Sequence, residues 1–522
     1  MGIFKAYDIR GIYGDDLTDE IAGLTGKAFV SYVKPKEVVI GHDMRQSSLP
    51  LKQALIKGIV SQGANVIDAG LCSTPMLYWL IYHQGFETGI MITASHNPKE
   101  YNGFKLVGKG CKPLSGNSGL PQIQELVQNP SFVDAKKQGR VTQATFLKKY
   151  QAFLKTRLAK LQQHSFSSIG GKKSTKKQSS ANAKPLSLVI DCANGMAGYT
   201  LPGLFASLSA DYQVEFLYPE LDGTFPNHEA NPSKPETLTI LCKRVKEKNA
   251  DFGAAFDGDA DRIAFVDEKG KIISGDLITA LLGAFLLEKN NLKPSKASNE
   301  RTSTSATTSS SKTQVKATKE KTTNSATNSA FLIKSSPQPI ALQPTLAKQK
   351  ILYEVRSSWA VPHAILAADG IPVLWKAGHS LIKEKMMQDA ILFGGEKSGH
   401  YFYKDLSYTD SAAYTLLLML TLLEEKQQPL SALIKPLALY ANTGEINIKV
   451  SNPQNVLESI KKVFSDATIK EIDGITVEYK DWWFNLRMSN TEPLIRLNLE
   501  ATTKKLMEEK KEYVLKCIKE AI

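Results

Sequence analysis

Hydrophobic and polar positions alternate in short blocks along the first 145 residues. Glu37-Val38-Val39-Ile40 runs apolar into Gly41, positions 49–61 carry apolar residues at helical spacing, and Asn65-Val66-Ile67 ends at Asp68. A further strand, Thr88-Gly89-Ile90-Met91-Ile92, follows. Strand, helix and strand in close succession predict a doubly wound α/β domain, in which ligands sit beyond the carboxyl ends of the strands. After a helical stretch at 145–161 the pattern restarts with Leu186-Ser187-Leu188-Val189-Ile190, and later Phe252-Gly253-Ala254-Ala255-Phe256 and Ile263-Ala264-Phe265-Val266 flank a polar loop. A third unit begins near Ile272, resumes at Ile351-Leu352-Tyr353 and continues through Ile371-Pro372-Val373-Leu374 and a helix at 411–425. The end of the chain is of another design. Glu445-Ile446-Asn447-Ile448-Lys449-Val450 alternates at period two, and 475–486 and 494–499 read as antiparallel strands before a terminal helix. The predicted architecture is three related doubly wound α/β domains (1–145, 146–271 and 272–440) and a smaller C-terminal α+β domain (441–522).

Two stretches break this pattern. The segment 165–184 carries Lys172, Lys173, Lys176, Lys177 and Lys184 with no acid, and 296–349, rich in Ser, Thr, Lys, Ala and Asn, carries eight bases against Glu300 and Glu320. About +2 of the formal net charge of +13 is then left for the remainder. The folded body is nearly neutral, which argues against a nucleic-acid partner. The longer stretch lacks the apolar residues to offset its ordering entropy and is expected to be disordered, with Phe331-Leu332-Ile333 as its one apolar patch. What these lysine-rich inserts bind is not encoded in their composition.

The five cysteines are scattered, with no pair at zinc or redox spacing, which fits a reducing cytoplasm. The apolar run 414–423 is about half the ~20 residues a spanning helix needs, so a buried core helix is expected and no membrane segment.

Chemistry is concentrated in loops. The strand ending at Ile92 delivers the chain to Thr93-Ala94-Ser95-His96-Asn97-Pro98, a loop that presents one hydroxyl beside an imidazole, seven residues before Asn102-Gly103-Phe104-Lys105. Asp257-Gly258-Asp259-Ala260-Asp261-Arg262 alternates carboxylates with small residues at a strand end. Three such hard donors repel one another unless a divalent cation neutralises them, which favours Mg²⁺. An EF-hand is excluded because Arg262 stands where the turn glycine belongs. Serine, metal site and cations together suggest phosphoryl transfer through a phosphorylated serine. Gly378-His379-Ser380, the loop 394–400 with Glu396 and Ser398, and Arg487-Met488-Ser489-Asn490-Thr491-Glu492-Pro493 add groups suited to a phosphosugar.

With Tyr7-Asp8-Ile9-Arg10-Gly11, these motifs resemble the α-D-phosphohexomutase superfamily, in its phosphomannomutase/phosphoglucomutase branch. The resemblance implies four domains around one central cleft, the last a phosphate-binding lid. It implies a phosphoserine at Ser95, with Mg²⁺ held by Asp257, Asp259, Asp261 and an oxygen of that phosphate. It further implies that Arg262 steadies the phosphoryl group, that Arg10, Lys105, His96 and His379 supply charge and proton transfer, and that Tyr7 and Arg356 line the substrate site. Glu396 and Ser398 would bind sugar hydroxyls, and Arg487, Ser489, Asn490 and Thr491 the unreacting phosphate. The implied activity is interconversion of hexose 6- and 1-phosphates, of mannose and also of glucose, through a 1,6-bisphosphate that also serves as activator, by a monomeric cytoplasmic enzyme.

Two positions depart from the family pattern. Arg356 replaces a usual lysine, exchanging a point charge for a fork, and His42 stands where arginine is common. Asn490 and Glu396-Lys397-Ser398 favour this branch over phosphoglucosamine mutases, which usually have Gly and Gln in those loops. A non-catalytic phosphosugar-binding protein is the reading from another class.

Overall fold

The computed structural model of the chain describes residues 2–166, 185–291, 348–488 and 494–522. All but the last two residues of the stretch 296–349, where disorder is expected, and nearly all of the basic stretch 165–184 lie outside them.

Four sheets follow one another along the chain. The first holds β1 (Ile9–Ile12), β2 (Glu37–His42), β3 (Asn65–Leu71), β4 (Gly89–Ile92), β5 (Tyr101–Val107) and β6 (Val141–Gln143), ordered β1-β5-β4-β2-β3-β6. The second holds β7 (Leu186–Asp191), β8 (Tyr212–Leu217), β9 (Phe252–Phe256), β10 (Ile263–Asp267) and β11 (Ile272–Ile273), ordered β11-β10-β9-β7-β8. The third holds β12 (Lys350–Glu354), β13 (Ile371–Trp375), β14 (Phe393–Gly395), β15 (Tyr401–Tyr403) and β16 (Thr409–Asp410), ordered β13-β12-β14-β15-β16. In each sheet a parallel trio places its first strand between the second and third, and the third then turns back antiparallel, pairing Ile92 with Phe104, Phe256 with Ile263 and Gly395 with Tyr401. The same hairpin therefore recurs three times. Its three connections carry Ser95, the aspartates 257, 259 and 261, and Glu396 with Ser398.

This refines the doubly wound expectation, because each parallel core carries an antiparallel extension. The reason is connection length: eight, six and five residues join these strand pairs, and a parallel crossover needs a dozen or more.

The fourth sheet, β17 (Ala441–Lys449), β18 (Thr468–Lys470), β19 (Ile475–Glu478), β20 (Trp482–Met488) and β21 (Leu494–Ala501), is antiparallel throughout in the order β17-β21-β20-β19-β18. The apolar run 475–486 is thus two strands, turned at Tyr479, Lys480 and Asp481, and not one. Two helices, Pro453–Val463 and Lys504–Ala521, cover this sheet around Phe464, Phe484 and Val514.

The first three sheets share a continuous apolar core that joins Trp79, Tyr150, Phe205, Phe285 and Leu416. Its central helix, Ala412–Lys426, is capped by Ser411, whose hydroxyl accepts from the Tyr414 N–H, and is buried on all sides through Leu423. That all-round burial explains why the run 414–423 is apolar without being membrane-spanning. Among the described residues no helix is long and apolar enough to cross a membrane.

Candidate active site

Ser95 follows β4, buried among three loops, and holds its backbone at φ +50°. Its Oγ donates to Asp257 Oδ2 at 2.7 Å and lies 3.3 Å from His96 Nδ1, while its N–H donates to Thr93 Oγ1 at 2.9 Å. Asp257, Asp259 and Asp261 are all buried, and one oxygen of each lies within 4.8 Å of the others. Lys105, on β5, reaches across to Asp259 Oδ2 at 2.7 Å and also pairs with Asp261. Thr74, at the start of the helix Thr74–Gln84, donates to Asp259 Oδ2 at 2.5 Å. Among the described residues the buried Asp259 Oδ1 has no hydrogen-bond donor. Three carboxylates with an unsatisfied oxygen fit a hard divalent cation.

Electrostatics agree. Burial, then the charges of Asp261 and Asp259, push the Asp257 carboxyl well above the usual range. Burial also acts to raise Asp261, but Lys105 and His400 overcome it and hold that carboxyl well below. One ammonium serves two of the three acids, and the third faces the Arg262 guanidinium at 3.9 Å.

Gly258, inside this loop, faces the Ser95 carbonyl so closely that a Cβ would collide with its oxygen. Gly258→Ala is expected to push the serine off its carboxylate partner and lower kcat about 100-fold, with a smaller change in KM. Steady-state kinetics check this, and turnover within threefold of the unchanged protein would show that the contact is slack.

Arg10, on β1, donates to Asn97 Oδ1 at 2.7 Å and to the Ala94 carbonyl at 3.1 Å, and pairs with Asp8. Arg262 lies 3.9 Å from Asp257 Oδ2, and its Nε lies 3.1 Å from His400 Nε2. Burial, then Arg262 and Arg10, push the His96 imidazole well below its ordinary range.

His379 opens the helix His379–Asp389 just after Gly378, and burial followed by Lys383 and Lys105 pushes its imidazole well below the ordinary range. The Tyr7 hydroxyl donates to the Ala377 carbonyl at 3.2 Å, and its ring centroid lies 5.6 Å from that of His379. Glu396 accepts from the Gly378 N–H at 2.7 Å and contacts His400 Nδ1 at 2.8 Å, and Ser398 Oγ lies 3.2 Å from the same Nδ1. Burial opposes ionisation of Glu396, but its hydrogen bond to His400, that residue's charge and Arg356 bring it down to about 2. His400 was not singled out by sequence reasoning. Its Nε2 sits 3.2 Å from Asp261 Oδ1, so it bridges the aspartate loop and the Glu396 loop. Burial lowers its pKa and Arg262 opposes protonation, yet Asp261 and Glu396 raise it to about 9.

Arg356 follows β12 and turns its fork on Glu354 at 2.9 Å, a buried acid that also accepts from the Lys397 N–H at 3.3 Å. The fork gives this position a fixed orientation that a lysine lacks. His42, the other departure, is buried with Nδ1 2.8 Å from the Asp43 carbonyl. Arg487, on β20, donates to Glu445 at 2.7 Å and is near enough to influence the Tyr7 hydroxyl. Ser489, Asn490 and Thr491 lie outside the described residues.

The chain matches four consecutive family descriptions: phosphoglucomutase/phosphomannomutase alpha/beta/alpha domain I over 1–134, domain II over 167–270, domain III over 339–440, and the C-terminal domain over 445–516. It is 35% identical to a phosphomannomutase of Escherichia coli K12 over 506 residues, covering 95% of this chain and 94% of that protein. It is also 35% identical to a phosphomannomutase of Vibrio cholerae over 529 residues, covering 99% and 98%. A solved phosphoglucomutase/phosphomannomutase family protein from Burkholderia thailandensis superposes with a TM-score of 0.77 at 28% identity, covering 99% of this chain and 97% of the other. With all four domain types in order and the relatives matched end to end, the chain belongs to the phosphoglucomutase/phosphomannomutase family.

Proposed function

We propose that the protein is a phosphohexomutase that interconverts mannose 6-phosphate and mannose 1-phosphate, and the corresponding glucose phosphates, with Ser95 as phosphoryl carrier. The observation that carries this reading is the Ser95 hydroxyl 2.7 Å from Asp257 in a three-carboxylate pocket that Lys105 only partly neutralises. Full-length relatives named phosphomannomutase support it.

Asp257, Asp259 and Asp261 would hold Mg²⁺ together with a phosphoserine oxygen. When bound, the ion offsets the charge on the transferring phosphoryl group. Phospho-Ser95 gives its phosphoryl group to the free hydroxyl of the hexose phosphate: the P–Oγ bond breaks, a P–O bond to the sugar forms, and the hydroxyl proton goes to a neutral imidazole, a part assigned here to His379. Lys105, Arg10 and Arg262 offset charge around the serine. The 1,6-bisphosphate turns within the cleft, its other phosphate returns to Ser95, and the proton returns to the freed oxygen. A 1,6-bisphosphate added from outside recharges a dephosphorylated serine, which is why it activates. Glu396 and Ser398 bind sugar hydroxyls, with Tyr7 and Arg356 beside them, and Arg487 with Ser489, Asn490 and Thr491 holds the phosphate that is not reacting. An arginine fork beside hydroxyls and main-chain N–H groups grips either phosphate alike, as turnover of the intermediate requires.

Coupled assays on mannose 1-phosphate, glucose 1-phosphate and glucosamine 1-phosphate, each with its bisphosphate and Mg²⁺, test the assignment. Mannose and glucose phosphates are expected to exceed the amino sugar by about tenfold or more in kcat/KM, in line with the full-length relatives named phosphomannomutase. Preference for the amino sugar would move the protein to the phosphoglucosamine branch. Release of free phosphate without isomerised sugar would make it a phosphatase.

A further inference from the structure

Arg45 lies three residues beyond the end of β2, with its side chain wholly buried. All five of its guanidinium N–H donors are engaged. Nη1 donates to the carbonyls of Pro98 at 2.6 Å and Tyr101 at 3.0 Å, and Nη2 to those of Ser95 at 2.9 Å and Asn97 at 2.7 Å. Nε donates to Asp43 Oδ2 at 3.2 Å, and Asp43 is itself fixed by the Arg45 N–H at 3.0 Å and the Ser48 hydroxyl at 2.6 Å. Three main-chain carbonyls of the serine loop and that of Tyr101, the first residue of β5, thus converge on one planar cation.

The loop needs such a centre. Ser95 sits at φ +50°, a left-handed conformation that disfavours a residue with a side chain and persists only where the surroundings over-determine it. No repeating ladder supports the carbonyls of an irregular loop, and each one left buried without a donor is costly. A guanidinium presents five donors in one rigid plane, whereas an ammonium presents three on a tetrahedral head and cannot serve the same set.

The second domain holds the other side of the arginine. The Phe225 ring centroid lies 4.9 Å from the guanidinium carbon, and Gly223, two residues before it, fits so closely that a Cβ there would come within 2.6 Å of the Arg45 Cα. The serine loop is therefore shaped by a cation of its own domain that is pressed into place by a loop of the next.

We propose that Arg45 is a positioning residue for phosphoryl transfer: by gathering the Ser95, Asn97, Pro98 and Tyr101 carbonyls under the Phe225 ring, it sets the curvature that brings Ser95 Oγ onto Asp257. It touches neither the hydroxyl nor the sugar, and its action is on kcat through the placement of the nucleophile. The inference rests on the reading of Ser95 as the phosphoryl carrier.

The test compares Arg45→Lys, Arg45→Ala and Phe225→Leu with the unchanged full chain, reading kcat, KM, thermal unfolding and the phosphate on Ser95 by intact mass. Arg45→Lys is expected to lower kcat about 100-fold, the cost of misplacing a reacting group by about 1 Å, with KM for the sugar phosphate within about twofold. The sugar and its second phosphate are held by loops that Arg45 does not contact. Recharging of Ser95 by hexose 1,6-bisphosphate should slow to a similar extent. Free guanidinium is expected to restore at least tenfold of the kcat lost in Arg45→Ala, and ethylammonium is not.

Phe225→Leu keeps the cation and removes its aromatic cover, so it should show the same kcat-only signature at about three- to tenfold. It carries the test if the arginine variants fail to fold. A folded Arg45→Lys protein with kcat within threefold of the unchanged chain would overturn the inference. So would a loss expressed in KM, or no kcat effect in Phe225→Leu. Ser95→Ala run in parallel separates the two layers: turnover surviving in it refutes the carrier, whereas an inactive Ser95→Ala beside a fully active Arg45→Lys refutes only the positioning role.

Discussion

Replacing Ser95 with alanine is expected to lower turnover by at least about four orders of magnitude, about 5 kcal/mol in the barrier, and to abolish the labile phosphate in intact-mass spectra. The size follows from the chemistry: Lys105, Arg10 and Arg262 can neutralise a phosphoryl group but none of them can carry it between the two ends of a sugar. Alanine inherits the φ of +50° and loses the 2.7 Å hydrogen bond to Asp257. Ser95→Gly should be equally inactive yet more stable than Ser95→Ala by about 1 kcal/mol, because glycine accepts that backbone without strain. A phosphate persisting on Ser95→Ala, or turnover within tenfold of the unchanged enzyme, would remove Ser95 from the mechanism.

Lys105→Ala should cost the metal-free protein about 3–5 kcal/mol of stability, a range set by removing one partner of a buried charge cluster. Three carboxylates lie within 4.8 Å of one another, and this ammonium contacts two of them. Burial would lower its pKa, but Asp259, Asp261 and Asp410 raise it, so it stays charged. Without it the pocket is more negative and should bind Mg²⁺ more tightly. The stability gap from the unchanged protein should then narrow as Mg²⁺ is added, by about 1.4 kcal/mol for each tenfold tightening of Kd, because saturating Mg²⁺ stabilises both proteins and the tighter binder more. Thermal or denaturant unfolding with and without Mg²⁺ reads both effects. A gap of equal size in the two conditions would show that Lys105 is not an internal counter-cation.

The groups that were legible in the chain were those whose chemistry is local. Asp257, Asp259 and Asp261 announce a cation because three carboxylates share one short loop, and Ser95 is marked by the strand before it and the Asn-Pro turn after it. The α/β units and the different last domain were legible from periodicity. The strand reversals were written there too, in connections too short for a crossover, but hydrophobic period alone carries no direction. Arg45 and His400 were not legible as parts of the site. Each looks like an ordinary polar residue in sequence, and its meaning lies in a partner from another loop: 138 positions separate Arg262 from His400, and 185 separate Thr74 from Asp259. The run 475–486 misled for a related reason, since a tight turn through Tyr479, Lys480 and Asp481 breaks a stretch whose flanks remain apolar.

The thrice-repeated hairpin sets where this chain tolerates variation. Each connection that carries reactive groups has only five to eight residues, pinned at both ends by paired strands, so an inserted residue would shift Ser95, an aspartate or Glu396 out of reach of the others. β7 and β12, which follow 167–184 and 292–347 in the chain, begin at the rim of their sheets opposite those connections. Length added ahead of those two strands would leave the reactive rim as it stands.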